Sequence, residues 1–317
     1  MIIIQLMGGL GNQLQQYAFY RKLNKCGIEA KIDTSWYGVD VQKNMAAPRT
    51  MEIKRLGGIE FEEASSKEVA RMIGDKSLSG KFRRKMFPNT IKIFEENSRV
   101  FVPEFFDSVV VNRNIKDIYT KAHFACEYYY ADILEDLRNE VSFPLEQASN
   151  SQQIKELAEK MSDTESVSIH IRRGDYLDDI NAKYYGGICT EEYYESAVKY
   201  LVENAGANRF FIFSDDKDYA TDFAQRLMKK KNSEITAEVI DINHGDDSMF
   251  DIYLMSQCRH NITANSTFSF WGARFNSYED KITIRPTKHI IQQPFDSSDM
   301  KKWWAGWTFV SPEGKIY

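Results

Sequence analysis

Short apolar segments alternate with longer amphipathic ones through the second half of the chain. The strands predicted from this pattern lie at residues 166–171, 209–213, 237–242, 260–264 and 281–284. Apolar residues at helical spacing predict a helix after each of the first four strands, beginning near Thr190 in the first case and Ser266 in the last. This alternation is typical of a parallel, doubly wound sheet, with residues 281–284 as its last strand.

The first residues predict a separate β-loop-α-β unit. We expect a strand over Ile2–Leu6, a glycine-rich turn over Gly8–Gln13, a helix that ends at Gly27 and a strand over Glu29–Asp33. Residues 34–120 show no strong periodicity, and a further helix is predicted over Ala131–Val141.

The domain organisation follows from a polar stretch, Gln147–Gln153, after that helix. We expect an N-terminal domain over residues 1–150, a second domain over 151–290 and an aromatic tail over 291–317 that packs back on the body. The predicted class is α/β, with two Rossmann-like domains that face a central cleft.

The charge balance limits the class of partner. The chain has 317 residues with 41 Lys plus Arg and 46 Asp plus Glu, a net charge of −5, which argues against a general nucleic-acid binder. The 4 cysteines form no CxxC pair, which argues against a zinc site and favours reduced thiols in a cytosolic protein. No run approaches the roughly 18 apolar residues of a membrane span, so a soluble, intracellular protein is expected.

Two adjacent arginines end the strand predicted at 166–171, within the sequence HIRRGDY at residues 170–176. Arginine keeps its charge, and its planar guanidinium binds phosphate oxygens in pairs. Arg172 and Arg173 are therefore candidates for holding a diphosphate. A structural ion pair between one of them and Asp175 is an equally good interpretation.

A second candidate loop joins the strand at 260–264 to the next helix. It carries Asn265, Ser266, Thr267 and Phe268, and free N–H groups at a helix N-terminus form a ready anion site when hydroxyls accompany them. Taken alone, the loop is better explained by N-capping from Asn265 or Ser266. Placed near Arg172, it would form the second wall of a diphosphate pocket.

Three acidic residues and the glycine-rich turn are further candidates. Asp215 and Asp216 follow a predicted strand, where carboxylates bind ribose hydroxyls or a base, or cap the next helix. Asp251 lies inside a predicted helix, where aspartates usually face solvent. The Gly8–Gln13 turn matches neither GxxxxGK[ST] nor GxGxxG; it either lets Asn12 approach a ligand or is simply a tight turn.

Other polar and aromatic residues have mainly structural interpretations. The histidines without ligand-like spacing are His244, His260 and His289. The tryptophans near the C-terminus, expected to pin the tail with sugar stacking as the alternative, are Trp303, Trp304 and Trp307. The basic cluster Lys81–Lys85 is expected to be a solvated loop, with contact to an anionic surface as the alternative.

Four motifs together resemble one family. GGLGNQ, HIRRGDY, FSDD and LMSQCRHNITANSTFSFWGA are similar to motifs of bacterial α-1,2-fucosyltransferases of glycosyltransferase family 11. The resemblance runs from Met1 through Trp271 and is weakest over 34–120. It implies a GT-B-like fold, an acceptor domain followed by a donor domain, and a bacterial cytoplasmic enzyme, with association to the inner membrane as an alternative.

The same resemblance implies a reaction and assigns residues to it. L-fucose is transferred from GDP-β-L-fucose to O2 of a terminal galactose with inversion and without a metal. Arg172 is assigned to the β-phosphate, His170 to the nucleotide and Asp251 to guanine N–H groups. The other assigned donor-site residues are Asp215 or Asp216 beside the nucleoside, Ser266 and Thr267 on the diphosphate, and Asn12 in the GGLGNQ turn; Gly11, Asn265 and Phe268 lie in the same motifs, and Arg173 assists Arg172.

The base that accepts the proton from the acceptor hydroxyl is open. The α-1,6 relatives carry a glutamate shortly after the arginine motif, whereas this chain has Leu177-Asp178-Asp179 there. Asp175 is the first candidate; if it orients Arg172 instead, Asp179 or a residue of the N-terminal half takes the proton. A non-catalytic nucleotide-sugar or glycan-binding protein, and a phosphoryl- or sulfo-transferring enzyme using Gly8–Gln13, are the rival functions.

Overall fold

The computed structural model describes residues 1–43, 45, 48–73, 91–95, 101–113, 117–162, 165–179, 181–229 and 235–317. The chain forms two compact units, Met1–Ser142 and Phe143–Tyr317. The sequence placed the division at residue 150, but Asn150 donates a side-chain hydrogen bond to the Ile242 carbonyl at 2.7 Å, which ties this segment to the second unit. The predicted cluster Lys81–Lys85 lies outside the described residues.

The first unit is built on a parallel sheet of four strands in the order β2-β1-β4-β3. The strands are β1 (Ile2–Gln5), β2 (Ala30–Asp33), β3 (Ile91–Glu95) and β4 (Asp117–Lys121). The three isoleucines of β1 are fully buried, as expected for a parallel strand covered on both faces. β3 and β4 were not predicted, because each is five residues long and ends in a charged residue, which leaves a short apolar signal.

The helices of the first unit are α1 (Leu10–Lys25), α2 (Val39–Gln42), α3 (Ser66–Ile73), α4 (Pro103–Phe106) and α5 (Leu134–Glu140). α1 begins inside the predicted Gly8–Gln13 turn, so Gly11 and Asn12 belong to its first helical turn. The helix predicted over Ala131–Val141 is present as a 3-10 turn, Ala131–Ile133, followed by α5.

The second unit is built on six parallel strands in the order β10-β9-β8-β5-β6-β7. They are β5 (Ser166–Ile171), β6 (Arg209–Ser214), β7 (Thr236–Ile240), β8 (His260–Ile262), β9 (Thr283–Pro286) and β10 (Trp307–Val310). Two parallel sheets in two units confirm the predicted α/β, GT-B-like class with Rossmann-like halves. The prediction that residues 281–284 form the last strand is wrong, because β10 adds to the sheet beside β9.

The helices of the second unit are α6 (Ser151–Ser162), α7 (Ala182–Tyr185), α8 (Glu191–Ala205), α9 (Lys217–Met228), α10 (Met249–Gln257), α11 (Thr267–Phe275) and α12 (Ser297–Trp303). The predicted cap of α8 is confirmed: the Thr190 hydroxyl accepts the Tyr193 N–H at 3.1 Å. Within the described parts of both units, no helix has the length and apolar character needed to cross a membrane.

The C-terminal segment is part of the second unit's core. Trp304 is 5% exposed and lies against two buried arginines, with Arg285 Cζ 3.8 Å and Arg274 Cζ 4.9 Å from its ring centroid. Trp307 packs on Trp304 with centroids 5.3 Å apart. These two rings therefore pin the segment, as the first interpretation expected, and their burial opposes the sugar-stacking alternative.

The sheet order brings three loops to one edge. β5 pairs with β6 on one side and with β8 on the other, all parallel. The carboxyl ends of parallel strands share an edge, which is where ligands of open α/β sheets bind. The segments after β5, β6 and β8 carry Arg172, Asp215 and Ser266, respectively.

Candidate active site

Arg172 lies between two carboxylates just beyond β5. Its Nη2 is 2.7 Å from Oδ1 of Asp175, and its Nη1 is 2.9 Å from Oδ2 of Asp215. The ion pair considered from the sequence is therefore present. Because the Arg172 side chain is still 27% exposed, the guanidinium is oriented and also reachable from solvent.

Arg173 is held by a separate set of contacts. Its Nε is 3.0 Å from Oδ2 of Asp216, and its Cζ is 3.9 Å from the Tyr219 ring centroid. Asp216 also caps α9 by accepting the Tyr219 N–H at 3.0 Å. That N–H and the Arg173 side chain lower the pKa of Asp216, so this carboxylate is a stable partner for Arg173.

Asp215 joins the two arginines, and Gly174 makes the approach possible. One Asp215 oxygen contacts the Arg172 guanidinium, while the other accepts the backbone N–H of Arg173 at 2.8 Å. A Cβ on Gly174 would lie 2.6 Å from Oδ2 of Asp215. The sequence did not predict that Asp215 would contact both arginines or that Gly174 would allow this approach. The available signal was the glycine after the arginine pair, together with a carboxylate one residue beyond β6.

His170 lies on β5 before the arginines and is 7% exposed. Burial, followed by the charge of Arg172, lowers its pKa to about 4, so the ring is neutral at pH 7. The ring centroid is 5.8 Å from that of Phe268, which lies in the first turn of α11. His170 therefore connects the arginine strand to the second predicted wall without adding charge.

The first turn of α11 lies beside the arginine loop, because β8 is the neighbour of β5. The Tyr176 hydroxyl donates to the Asn265 carbonyl at 3.2 Å, directly joining the two loops. Ser266 occupies the N-cap position, but its side chain makes no capping hydrogen bond. The N-capping interpretation is thus not realised by Ser266, and Thr267 and Phe268 are partly exposed beside it.

The side chain of Asn265 serves the interior of the unit. Its Nδ2 donates to the carbonyls of His289 at 3.1 Å and Tyr185 at 3.3 Å, and its Oδ1 accepts from the Cys189 thiol at 3.4 Å. The residue is 1% exposed. Its contribution to the site is therefore to fix the start of α11, and the N-capping interpretation does not apply to its side chain.

Asp251 lies in the first turn of α10 and differs from the solvent-facing aspartate expected at such a position. Burial, followed by the nearby charge of Asp241, raises its pKa to about 7, although Asn243 donates a hydrogen bond to it at 2.8 Å. Asp241 is itself paired with Lys217 at 2.6 Å. The carboxyl group of Asp251 therefore titrates near neutral pH.

In the first unit, other groups of the protein occupy the space around the Gly8–Gln13 segment. Gly8 has φ +83, and a Cβ there would lie 2.4 Å from Asn12 Nδ2. The Glu52 carboxylate accepts the Leu10 N–H at 3.1 Å, at the start of α1. Because a carboxylate occupies the helix N-terminus where a phosphate would bind, this geometry opposes the phosphoryl-transfer alternative.

The predicted site residues thus divide by unit. The second unit brings those after β5, β6 and β8 to one sheet edge and holds Asp251 in α10 beyond β7, whereas Gly11 and Asn12 belong to the first unit. His260 accepts the Ile282 N–H at 3.0 Å through Nδ1, as expected for a structural histidine. Among the described residues, no group of three or more His, Cys, Asp or Glu side chains could hold a metal ion.

Comparison with known proteins places the chain in a family. It is 31% identical to the α-1,2-colitosyltransferase of Escherichia coli over 95% of this chain and 97% of that protein. It is 28% identical to the O-antigen biosynthesis glycosyltransferase WbnK of Escherichia coli over 94% of this chain and 98% of that one.

One solved structure, that of the NodZ α-1,6-fucosyltransferase soaked with GDP-fucose, is 12% identical, with a TM-score of 0.48, over 89% of this chain and 94% of that one; a likeness of that degree adds nothing to the assignment. The family model described as glycosyl transferase family 11 matches residues 1–311. The two loops joined at one sheet edge therefore belong to a glycosyltransferase, and the chain is a member of glycosyl transferase family 11.

Proposed function

We propose that this glycosyltransferase moves L-fucose from GDP-β-L-fucose to O2 of a terminal galactose, with inversion at the anomeric carbon. The observation that carries the proposal is the pairing of Arg172 and Arg173 with the first turn of α11 on adjacent strands. Two guanidinium groups and a helix N-terminus at one sheet edge suit the negative charge of a departing diphosphate.

The charges at this edge determine how the diphosphate would enter. The two arginines face three carboxylates, those of Asp175, Asp215 and Asp216. These carboxylates would repel a dianionic group unless one of them moves away from the arginines. We assign the displaced position to Asp175, because its side chain is 34% exposed, whereas Asp215 is 25% exposed and is also anchored to the Arg173 backbone.

This exchange gives Asp175 its second role. When Arg172 turns its Nη2 to the β-phosphate, the Asp175 carboxylate is released to accept the proton of the acceptor hydroxyl. The acceptor O2 then bonds to C1 of fucose from the face opposite the phosphate, the C1–O bond to the β-phosphate breaks, and GDP departs with the electron pair. No metal is assigned to this step, because Arg172, Arg173 and the α11 N–H groups supply the positive charge.

The nucleoside end of the donor is assigned to Asp251. Guanine presents two neighbouring N–H donors, which pair with an ionised carboxylate. Asp215 and Asp216 instead support the diphosphate end of the donor site, because they hold Arg172 and Arg173. The proposal also places the enzyme in the bacterial cytoplasm, which the four free thiols support.

A second sugar is favoured by a specific observation. The relative at 31% identity is named a colitosyltransferase, so a colitosyl group is the second candidate for transfer to O2. The residues that hold a diphosphate are the same for either sugar. Parallel assays with fucosyl and colitosyl donors on one acceptor decide between them.

The test is turnover of GDP-β-L-fucose with lactose in the presence of EDTA, followed by NMR of the product. We expect GDP release and an α-1,2-linked product, and a loss of about 10²- to 10³-fold in Arg172→Ala. The matched control is Arg209→Ala, which removes an exposed arginine at the opposite end of β6 and keeps wild-type turnover. GDP binding without release with any galactoside would show a binding protein instead.

A further inference from the structure

We propose that Tyr176 is a positioning residue that holds Arg172 opposite the first turn of α11. The inference rests on the proposed function, because it concerns how the donor diphosphate is bound. The Tyr176 side chain contacts both walls of the candidate diphosphate site.

Tyr176 lies in the 3-10 turn Gly174–Leu177, directly after the two arginines. The Arg172 Cζ is 5.7 Å from the Tyr176 ring centroid, while the hydroxyl of the same ring donates to the Asn265 carbonyl at 3.2 Å. The ring also stacks on Tyr185, with centroids 4.8 Å apart and an interplanar angle of 16°. The tyrosine therefore joins the arginine loop, α7 and the residue before the α11 cap.

The anchor that Tyr176 reaches is rigid. Asn265 is 1% exposed, and its side chain is bonded to the carbonyls of Tyr185 and His289. Tyr185 in turn lies edge-on to His289, with centroids 6.4 Å apart. A hydrogen bond to the Asn265 backbone therefore fixes the arginine loop to a point that cannot easily move.

Other contacts of the arginine loop are weaker constraints. The ion pairs of Arg172 with Asp175 and Asp215 are a quarter to a third exposed, and ion pairs of that kind hold geometry poorly. One of them must also open when the diphosphate binds. The ring contact and the hydroxyl bond of Tyr176 do not compete with the donor, so they keep Arg172 in place during that exchange.

The experiment compares Tyr176→Phe with Tyr184→Phe. Tyr176→Phe removes the hydroxyl and keeps the ring, whereas Tyr184 is an exposed tyrosine of the nearby helix α7 and undergoes the same chemical change. By calorimetry, we expect Tyr176→Phe to weaken GDP binding roughly three- to tenfold. Tyr184→Phe is expected to stay within twofold, and thermal melts show that both variants are folded.

A double-mutant cycle separates positioning from general structural damage. If Tyr176 acts through Arg172, the loss from Tyr176→Phe shrinks to less than twofold in an Arg172→Lys background, because lysine cannot make the forked contact. Equal losses in both backgrounds, or a Tyr176→Phe protein that binds GDP like wild type, would overturn the inference while leaving the proposed function intact. A wild-type protein that does not bind GDP would overturn the proposed function itself.

Discussion

The Asn243 side chain donates a hydrogen bond to the Asp251 carboxylate at 2.8 Å, yet the pKa of Asp251 is raised to about 7. Burial raises the pKa by more than the hydrogen bond lowers it, and the charge of Asp241 raises the pKa further. The carboxyl group is therefore divided between its protonated and ionised forms near neutral pH. The same group therefore affects the stability of the second unit, and under the proposed function it also affects the binding of guanine.

Asp251→Asn is expected to stabilise the protein at alkaline pH. The folded pKa of about 7 exceeds the ordinary value of 3.8, so the folded state keeps a proton that the unfolded state releases. Stability is thus lost as pH rises from about 4 to about 7, and the uncharged amide avoids that loss. Urea unfolding should show a gain on the order of 1–3 kcal/mol at pH 8 and little change at pH 4.

The same carboxyl group predicts the pH dependence of nucleotide binding. Because guanine N–H groups pair with the ionised form, GDP should bind more tightly at pH 8 than at pH 6, with a midpoint near the raised pKa. In Asp251→Asn this dependence should disappear and affinity should fall. A wild-type affinity that is flat across this range would show that Asp251 does not bind the base.

Asp175→Asn separates the base from a purely orienting carboxylate. If Asp175 takes the proton of the acceptor hydroxyl, kcat falls at least 10²-fold in the variant. GDP binds as well as before or better, because the variant lacks a negative charge next to Arg172. Asp179→Asn, an exposed neighbour, should keep wild-type kcat. An Asp175→Asn enzyme with normal kcat and weakened donor binding would assign Asp175 to orientation alone.

Gly174→Ala tests the close approach of the arginine loop to Asp215. The added methyl would lie 2.6 Å from Oδ2, so Asp215 must move away from Arg172. We expect donor KM to rise about tenfold with a small loss of stability. Gly206→Ala is the control, because it strains a glycine with φ +66 at the end of α8, and it should lower stability without changing donor KM.

Trp304→Ala tests the tail as part of the core. The ring fills the space beside Arg285 and Arg274, so its removal leaves a cavity next to two buried charges. We expect a loss of about 3–5 kcal/mol in urea unfolding, with Trp304→Phe recovering part of it. Unchanged stability with a raised acceptor KM would restore the sugar-stacking interpretation.

The sequence predicted the second unit well, because its strands are short apolar runs separated by amphipathic helices. β5 was predicted residue for residue. β10 was missed because it follows a long segment whose tryptophans suggested packing rather than strand pairing. In the first unit, α1 begins within the glycines, since Glu52 satisfies the Leu10 N–H at the helix start.

The sequence predicted the charged residues of the candidate site but not which residues they contact. Arg172 and Arg173 stood out because paired cations at a strand end need partners. Those partners depend on the order of strands in the sheet, in which β5 lies between β6 and β8. The order of the strands along the chain does not predict this arrangement. For the same reason, the inward direction of the Asn265 side chain could not be deduced.

The most direct test of the central claim is a calorimetric comparison of GDP with GMP on the wild-type protein and on Arg172→Ala. The two nucleotides differ by the β-phosphate assigned to Arg172. The account predicts that wild type binds GDP at least tenfold more tightly than GMP and that Arg172→Ala binds the two equally. A variant that keeps the full preference for GDP would contradict it.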